Sequence, residues 1–154
     1  DSRQQVGSDG FRIPGAPLAF NRHEIEGTWR RFLGKEKHWR MQTRLEYQLH
    51  RDNGPGYFDF VRYRIGQQLR FQRDPWKIQG DVRVARYDYG LQPASFTDPS
   101  TRTRTEWTLR GRLEYLFNEH LKVFAEYEFE STSSNQVFDE YQVQSVTSGV
   151  GWEF

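Results

Sequence analysis

Residues 38–50 alternate without a fault, and no other feature of the chain narrows its fold as much. Trp39, Met41, Thr43, Leu45, Tyr47 and Leu49 occupy one parity. His38, Arg40, Gln42, Arg44, Glu46, Gln48 and His50 occupy the other. Successive side chains of a strand point to opposite faces, so a strand separates the two sets completely. A helix mixes them around its circumference. The pattern recurs along the chain. Within 57–72, Tyr57, Val61, Tyr63, Ile65, Leu69 and Phe71 oppose Arg62, Arg64, Gln68 and Arg70. Within 104–117, Trp107, Leu109, Gly111, Leu113, Tyr115 and Phe117 oppose Arg104, Glu106, Arg110, Arg112 and Glu114. Within 121–131, Leu121, Val123, Ala125, Tyr127 and Phe129 oppose Lys122, Glu126, Glu128 and Glu130. Residues 141–154 place Val146, Ser148, Val150, Trp152 and Phe154 together. Residues 24–33 carry Ile25, Trp29 and Leu33, with Arg31 in the same register. In 76–89 the apolar parity passes from Trp76, Ile78, Val82 and Val84 to Ala85, Tyr87 and Tyr89, the slip that a β-bulge near Val84 produces.

Seven strands are therefore expected, and the connections between them alternate in length. Turns at 34–37, 73–75 and 118–120 are short; polar stretches at 51–56, 90–103 and 132–139 are longer. Short turns on one side and long loops on the other make an antiparallel up-and-down arrangement, with the short turns periplasmic if the sheet is a membrane barrel. Residues 1–20 hold Gly7, Gly10, Pro14, Gly15 and Pro17 with little periodicity, and read as a linker, loop or plug-like segment. Residues 21–154 read as barrel strands.

The chain is polar, with a mean hydropathy of −0.93 and 28% charged residues, yet 16% of it is aromatic. A transmembrane barrel reconciles the two, because only alternate residues need be apolar. No stretch approaches the ~20 apolar residues of a transmembrane helix. The net charge of +1 gives no field of one sign to attract nucleic acid. With no cysteine, the chain has no disulfide framework and no thiolate chemistry.

The aromatics fall in two groups. Trp39, Phe71, Trp76, Phe117, Trp152 and Phe154 lie beside the short turns; Tyr47, Tyr57, Tyr87, Trp107, Tyr127 and Phe129 lie toward the long loops. Met41, Leu45, Ile65, Val82, Leu109, Val123 and Val150 lie between. Two aromatic girdles around an aliphatic belt suit a bilayer with its two interfaces. The competing arrangement is a soluble barrel or sandwich with the same apolar stripes turned inward.

The chain end resembles the C-terminal signature of bacterial outer-membrane β-barrel proteins, porins among them. Phe154 is terminal, with Trp152, Val150 and Val146 at alternate positions; Ser148 departs from the large residue usual there. The resemblance is sharp over about ten residues and otherwise one of pattern. It implies a Gram-negative outer-membrane location, a lipid bilayer as surroundings, and recognition of the last strand by the barrel-assembly machinery. Single-chain bacterial barrels have even strand numbers. Seven strands then imply either an eighth within 1–20, giving an eight-stranded barrel, or further strands upstream, making this the C-terminal part of a larger one.

If the apolar parity faces lipid, the lumen is lined by Arg40, Arg44, Arg62, Arg64, Arg70, Lys77, Arg83, Arg104, Arg110, Arg112 and Lys122. Glu46, Asp81, Glu106, Glu114, Glu126, Glu128, Glu130 and Glu153 share that face. Neighbouring rows should pair, Arg110 and Arg112 with Glu126 and Glu128. Such a wall suits a passive channel or export pore for an anionic solute or a polysaccharide, or a closed lumen filled by salt bridges. A barrel acting through its loops as a structural or adhesion protein is the alternative. The four histidines lack metal-ligand spacing, and no nucleophile elbow or phosphate loop occurs. No catalytic residue, metal or cofactor is expected.

Overall fold

A computed structural model describes residues 4–152. It is all-β, with no α-helix among the described residues. Two strands, β1 (Gln4–Val6) and β2 (Arg12–Pro17), pair with each other alone. Seven more, β3 (Phe20–Leu33), β4 (Trp39–Asp52), β5 (Phe60–Arg73), β6 (Trp76–Pro93), β7 (Thr101–Leu116), β8 (Leu121–Ser134) and β9 (Tyr141–Trp152), form one antiparallel sheet in chain order. The strands stand where the alternation puts them. The ladder runs further toward the long loops than the pattern suggests, into Gly90 and Pro93 on β6 and Thr101 on β7.

Each short turn has a local cause. Gly34 takes φ +80 and Lys37 φ 56, left-handed values that turn the chain between β3 and β4. The Asn118 carboxamide oxygen accepts the N–H groups of His120 and Leu121 at 2.9 and 2.8 Å. On the opposite end, Asp52 organises the β4–β5 loop by accepting N–H groups from Gly54, Gly56 and Phe58. In the β6–β7 loop the Ser100 backbone N–H holds the Asp98 carboxyl below the usual carboxylate range.

Residues 4–17 form a hairpin. Its turn uses Gly10 at φ +84, and it rests on the β4–β5 loop. Gln5 Nε2 donates to the Asn53 carbonyl, and Asn53 Nδ2 to the Pro17 carbonyl at 3.1 Å. It adds no eighth strand to the large sheet. Among the described residues β3 and β9 are the sheet's edges, and the ladder is open between them. Both edges run from the long-loop end to the short-turn end.

The register is continuous and staggered. One perpendicular row passes through Glu26, Glu46, Arg64, Ala85, Glu106, Thr132 and Tyr141. It begins on β3 well below Phe20 and ends on the first residue of β9. The strands thus slip by roughly two-thirds of a residue to one residue per neighbour. With spacings of ~3.3 Å along a strand and ~4.8 Å between strands, the tilt is roughly 25–35°.

The register also corrects the expected bulge. Val82, Val84, Ala85 and Tyr87 face Gln67, Ile65, Arg64 and Arg62 without a shift, and β7 pairs as evenly on the other side. The slip in apolar pattern is therefore a change in what each face carries. Past Val84, the outward positions are Arg86 and Asp88, which pair at 3.0 Å, and the rings turn inward.

Candidate functional site

The two faces of the sheet are buried unequally although nothing is stacked on either. Glu46, Gln48 and Asp81 on the polar face are 8, 4 and 6% exposed, whereas Leu45 and Ile65 on the apolar face are 55 and 51% exposed. The polar face is thus the more enclosed of the two, as in a sheet curved with its polar face concave and its apolar face convex. No large side chain among the described residues is fully buried, so the apolar stripes do not meet in a dry core.

On the concave face the arginines stand mainly on β4 to β7 and the glutamates on β8, and the two meet across the ladder. Arg110 pairs with Glu128, and Arg112 donates to Glu126 at 2.7 Å and to Glu114 at 2.6 Å. Glu46 holds both Arg62 and Arg64. Arg83 meets Asp81 at 2.8 Å, Arg104 meets Glu106 at 2.7 Å, and Arg44 meets Glu26 at 3.2 Å. Arg40 and Arg70 are direct partners across β4 and β5, and neither meets a carboxylate among the described residues. Every expected lining residue, from Arg40 to Glu128, shares this face; Glu153 lies outside the described residues.

Alternation restricted to charged residues missed several members. Arg22, Glu24, Glu26 and Arg30 on β3 face the same way as Glu46. So do five rings. Phe60 stacks on His50 with centroids 4.7 Å apart, and Phe20 packs on the other side of His50. Tyr87 and Tyr89 flank Phe60, and Phe124 lies under the Arg112 guanidinium at 4.5 Å. The signal was present: Phe60 shares parity with Arg62, and Phe124 with Glu126.

Tyr87 was expected in the outward girdle and is corrected to the concave face. It is 8% exposed, donates to Glu106 at 3.0 Å, and lies 4.4 Å beneath the Arg104 guanidinium. Tyr57 leaves the girdle too, since β5 starts at Phe60 and Tyr57 belongs to the preceding loop. The remaining girdle side chains within the strands lie on the convex face, and Phe117 follows β7 in its turn. Trp39, Trp76, Phe117 and Trp152 are exposed beside the short turns, with Phe71 against Trp39 at 4.8 Å; Tyr47, Trp107 and Tyr127 are exposed nearer the long loops. Phe154 lies outside the described residues. Within the belt one polar pair, Thr43 and Gln67, satisfies itself by a 2.7 Å hydrogen bond.

Carboxylate oxygens of Glu24, Glu26 and Glu46 come within 4.8 Å of one another. Arg22, Arg44, Arg62 and Arg64 already neutralise them, so the geometry describes an ion-pair network. Compared with family models, with curated proteins and with solved structures, the chain matches none.

Proposed function

We propose that this sheet is the wall of an outer-membrane β-barrel whose concave face lines a water-filled channel, making the protein a passive channel or export pore. The observation that carries the reading is the inverted sheet: charge in the hollow, grease on the outer curve. A soluble domain arranges its faces the other way. Two dimensions support it. The convex apolar belt runs from Val61 to Phe71 on β5, Trp76 to Val84 on β6 and Leu121 to Phe129 on β8. Roughly nine to eleven residues tilted by about 25–35° span some 22–30 Å, near the ~25 Å apolar band of such barrels. The upper end of that tilt meets the barrel range.

The proposed closure has a parity set by the two edges. Since β3 and β9 run in the same direction, antiparallel closure takes an odd number of further strands and gives an even total. On this reading the convex face meets lipid, the last strand with Phe154 is the element offered to the assembly machinery, and the concave arginines and glutamates meet the solute. Single-channel recording in planar bilayers tests it. Steady openings support the pore. Silence from a folded, inserted protein favours the second reading, a barrel acting through its loops, which the extensive ion pairing also suits. Full solubility of the folded protein without detergent would sink both.

A further inference from the structure

We propose that Arg40, Arg70 and Lys77 form a binding site for small oxyanions, phosphate-like in charge and shape, at the short-turn end of the concave face. The inference rests on the reading of that face as bordering water inside a barrel. Its origin is an imbalance in the ion pairing. Of the inward arginines on β4 to β7, Arg44, Arg62, Arg64, Arg83, Arg104 and their neighbours on β7 all meet carboxylates. Arg40 and Arg70 are the exceptions among the described residues, and they are placed directly opposite each other.

Like charges opposed on a ladder repel, and the fold offers these two no relief. Arg70 reaches only the Gln79 carboxamide oxygen, at 2.8 Å. Arg40 Nε is enclosed and has no hydrogen-bond partner. Lys77 stands on the next strand, one rung nearer the turn, opposite Gln72. Its cross-strand partner on β7 is Glu114, whose carboxylate is held by Arg112 at 2.6 Å. Three cations therefore share one end of the hollow, Arg70 and Lys77 in a groove lined also by Gln72, Gln79, Arg112 and the Arg112-bound Glu114, and Arg40 beside it across from Arg70. Two guanidinium forks and an ammonium suit a tetrahedral oxyanion, which accepts several charge-assisted hydrogen bonds at once. Gln72 and Gln79 add neutral amide donors.

The same chemistry is found on free phosphate and on lipid headgroups, and the outer face separates them. Arg31 and Arg73 lie at the same end but share parity with the lipid-side residues Trp29 and Phe71. The test is the phosphorus NMR linewidth of inorganic phosphate added to the full chain folded in a maltoside detergent. Wild-type protein should broaden the line saturably. R40Q/R70Q/K77Q should bind at least about tenfold more weakly, as loss of charge-assisted bonds requires. R40K/R70K, which keeps charge without the fork, should fall between, and R31Q/R73Q should match wild type. No broadening by wild type, equal broadening by the triple variant, or loss in R31Q/R73Q would each overturn the site. If the triple variant lacks the wild-type β-sheet circular dichroism, R70Q alone makes the comparison, since its side chain is exposed; unchanged binding there also overturns it. Bilayer recording is scored separately. A silent protein that still binds phosphate through these residues retains the site and loses the pore.

Discussion

Glu46 and Glu128 both hold arginines, but their surroundings set very different costs for removing them. The Glu46 carboxylate is nearly enclosed, and its partner Arg62 is 12% exposed. Replacing Glu46 by Gln takes from Arg62 and Arg64, side by side on β5, the carboxylate that binds both, at a cost on the order of 3 kcal/mol. Glu128 faces Arg110, whose side chain is 44% exposed, so Glu128→Gln should cost less than about 1 kcal/mol. Denaturant unfolding of the two variants from lipid vesicles checks the ranking, and equal losses would contradict the burial argument. On the convex face, Leu109→Arg puts a charge at the middle of the apolar belt and should cost roughly 2–4 kcal/mol. An unchanged unfolding midpoint would count against the assigned facing. At this scale the sequence was legible wherever a side chain's chemistry matched its parity. It was not legible at Tyr87, because a ring reads as apolar whichever way it points, and here the Arg104 cation and the Glu106 carboxylate make the inward position favourable.

Strand β9 shows how an element can be held by what its side chains lack. Its concave positions run from Tyr141 and Val143 to the small residues Ser145, Thr147, Gly149 and Gly151, and the Phe124 ring of β8 lies across Gly149. A Cβ at Gly149 would come within 2.8 Å of that ring. Gly149→Val should therefore destabilise the β8–β9 pairing by about 1–3 kcal/mol, and Phe124→Ala in the same chain should restore much of it. A double variant no better than Gly149→Val would mean that the glycine serves another purpose. On the proposed outer-membrane reading, deleting Phe154 should lower the amount of protein reaching the cell surface; normal surface levels would remove the role assigned to the chain end. Strand positions were legible because a period of two runs through the strands, broken only locally at Arg31 on β3 and past Val84 on β6. The strand ends toward the long loops were not, since Gly90 and Pro93 look like loop residues and are paired all the same. The N-terminal hairpin was hidden for a related reason. Its glycines and prolines carry no alternation, and its pairing depends on contacts with Asn53, far along the chain.

For the whole molecule, seven staggered strands of uniform register give a curved wall with a charged hollow and an apolar outside. Its direction of curvature could be argued from the girdles alone, but its stagger could not, because alternation fixes facing and leaves the offset between neighbours open. The central claim is that the convex stripe lies against hydrocarbon and the concave stripe against water. Because the chain has no cysteine, single cysteines can be introduced without background. Spin labels on Leu109→Cys and Val146→Cys, and on their inward neighbours Thr108→Cys and Ser145→Cys, can be compared in vesicles by relaxation with oxygen and with a water-soluble nickel chelate. The account predicts oxygen-dominated relaxation at 109 and 146 and nickel-dominated relaxation at 108 and 145. The reverse order, or four labels equally open to nickel, would contradict it.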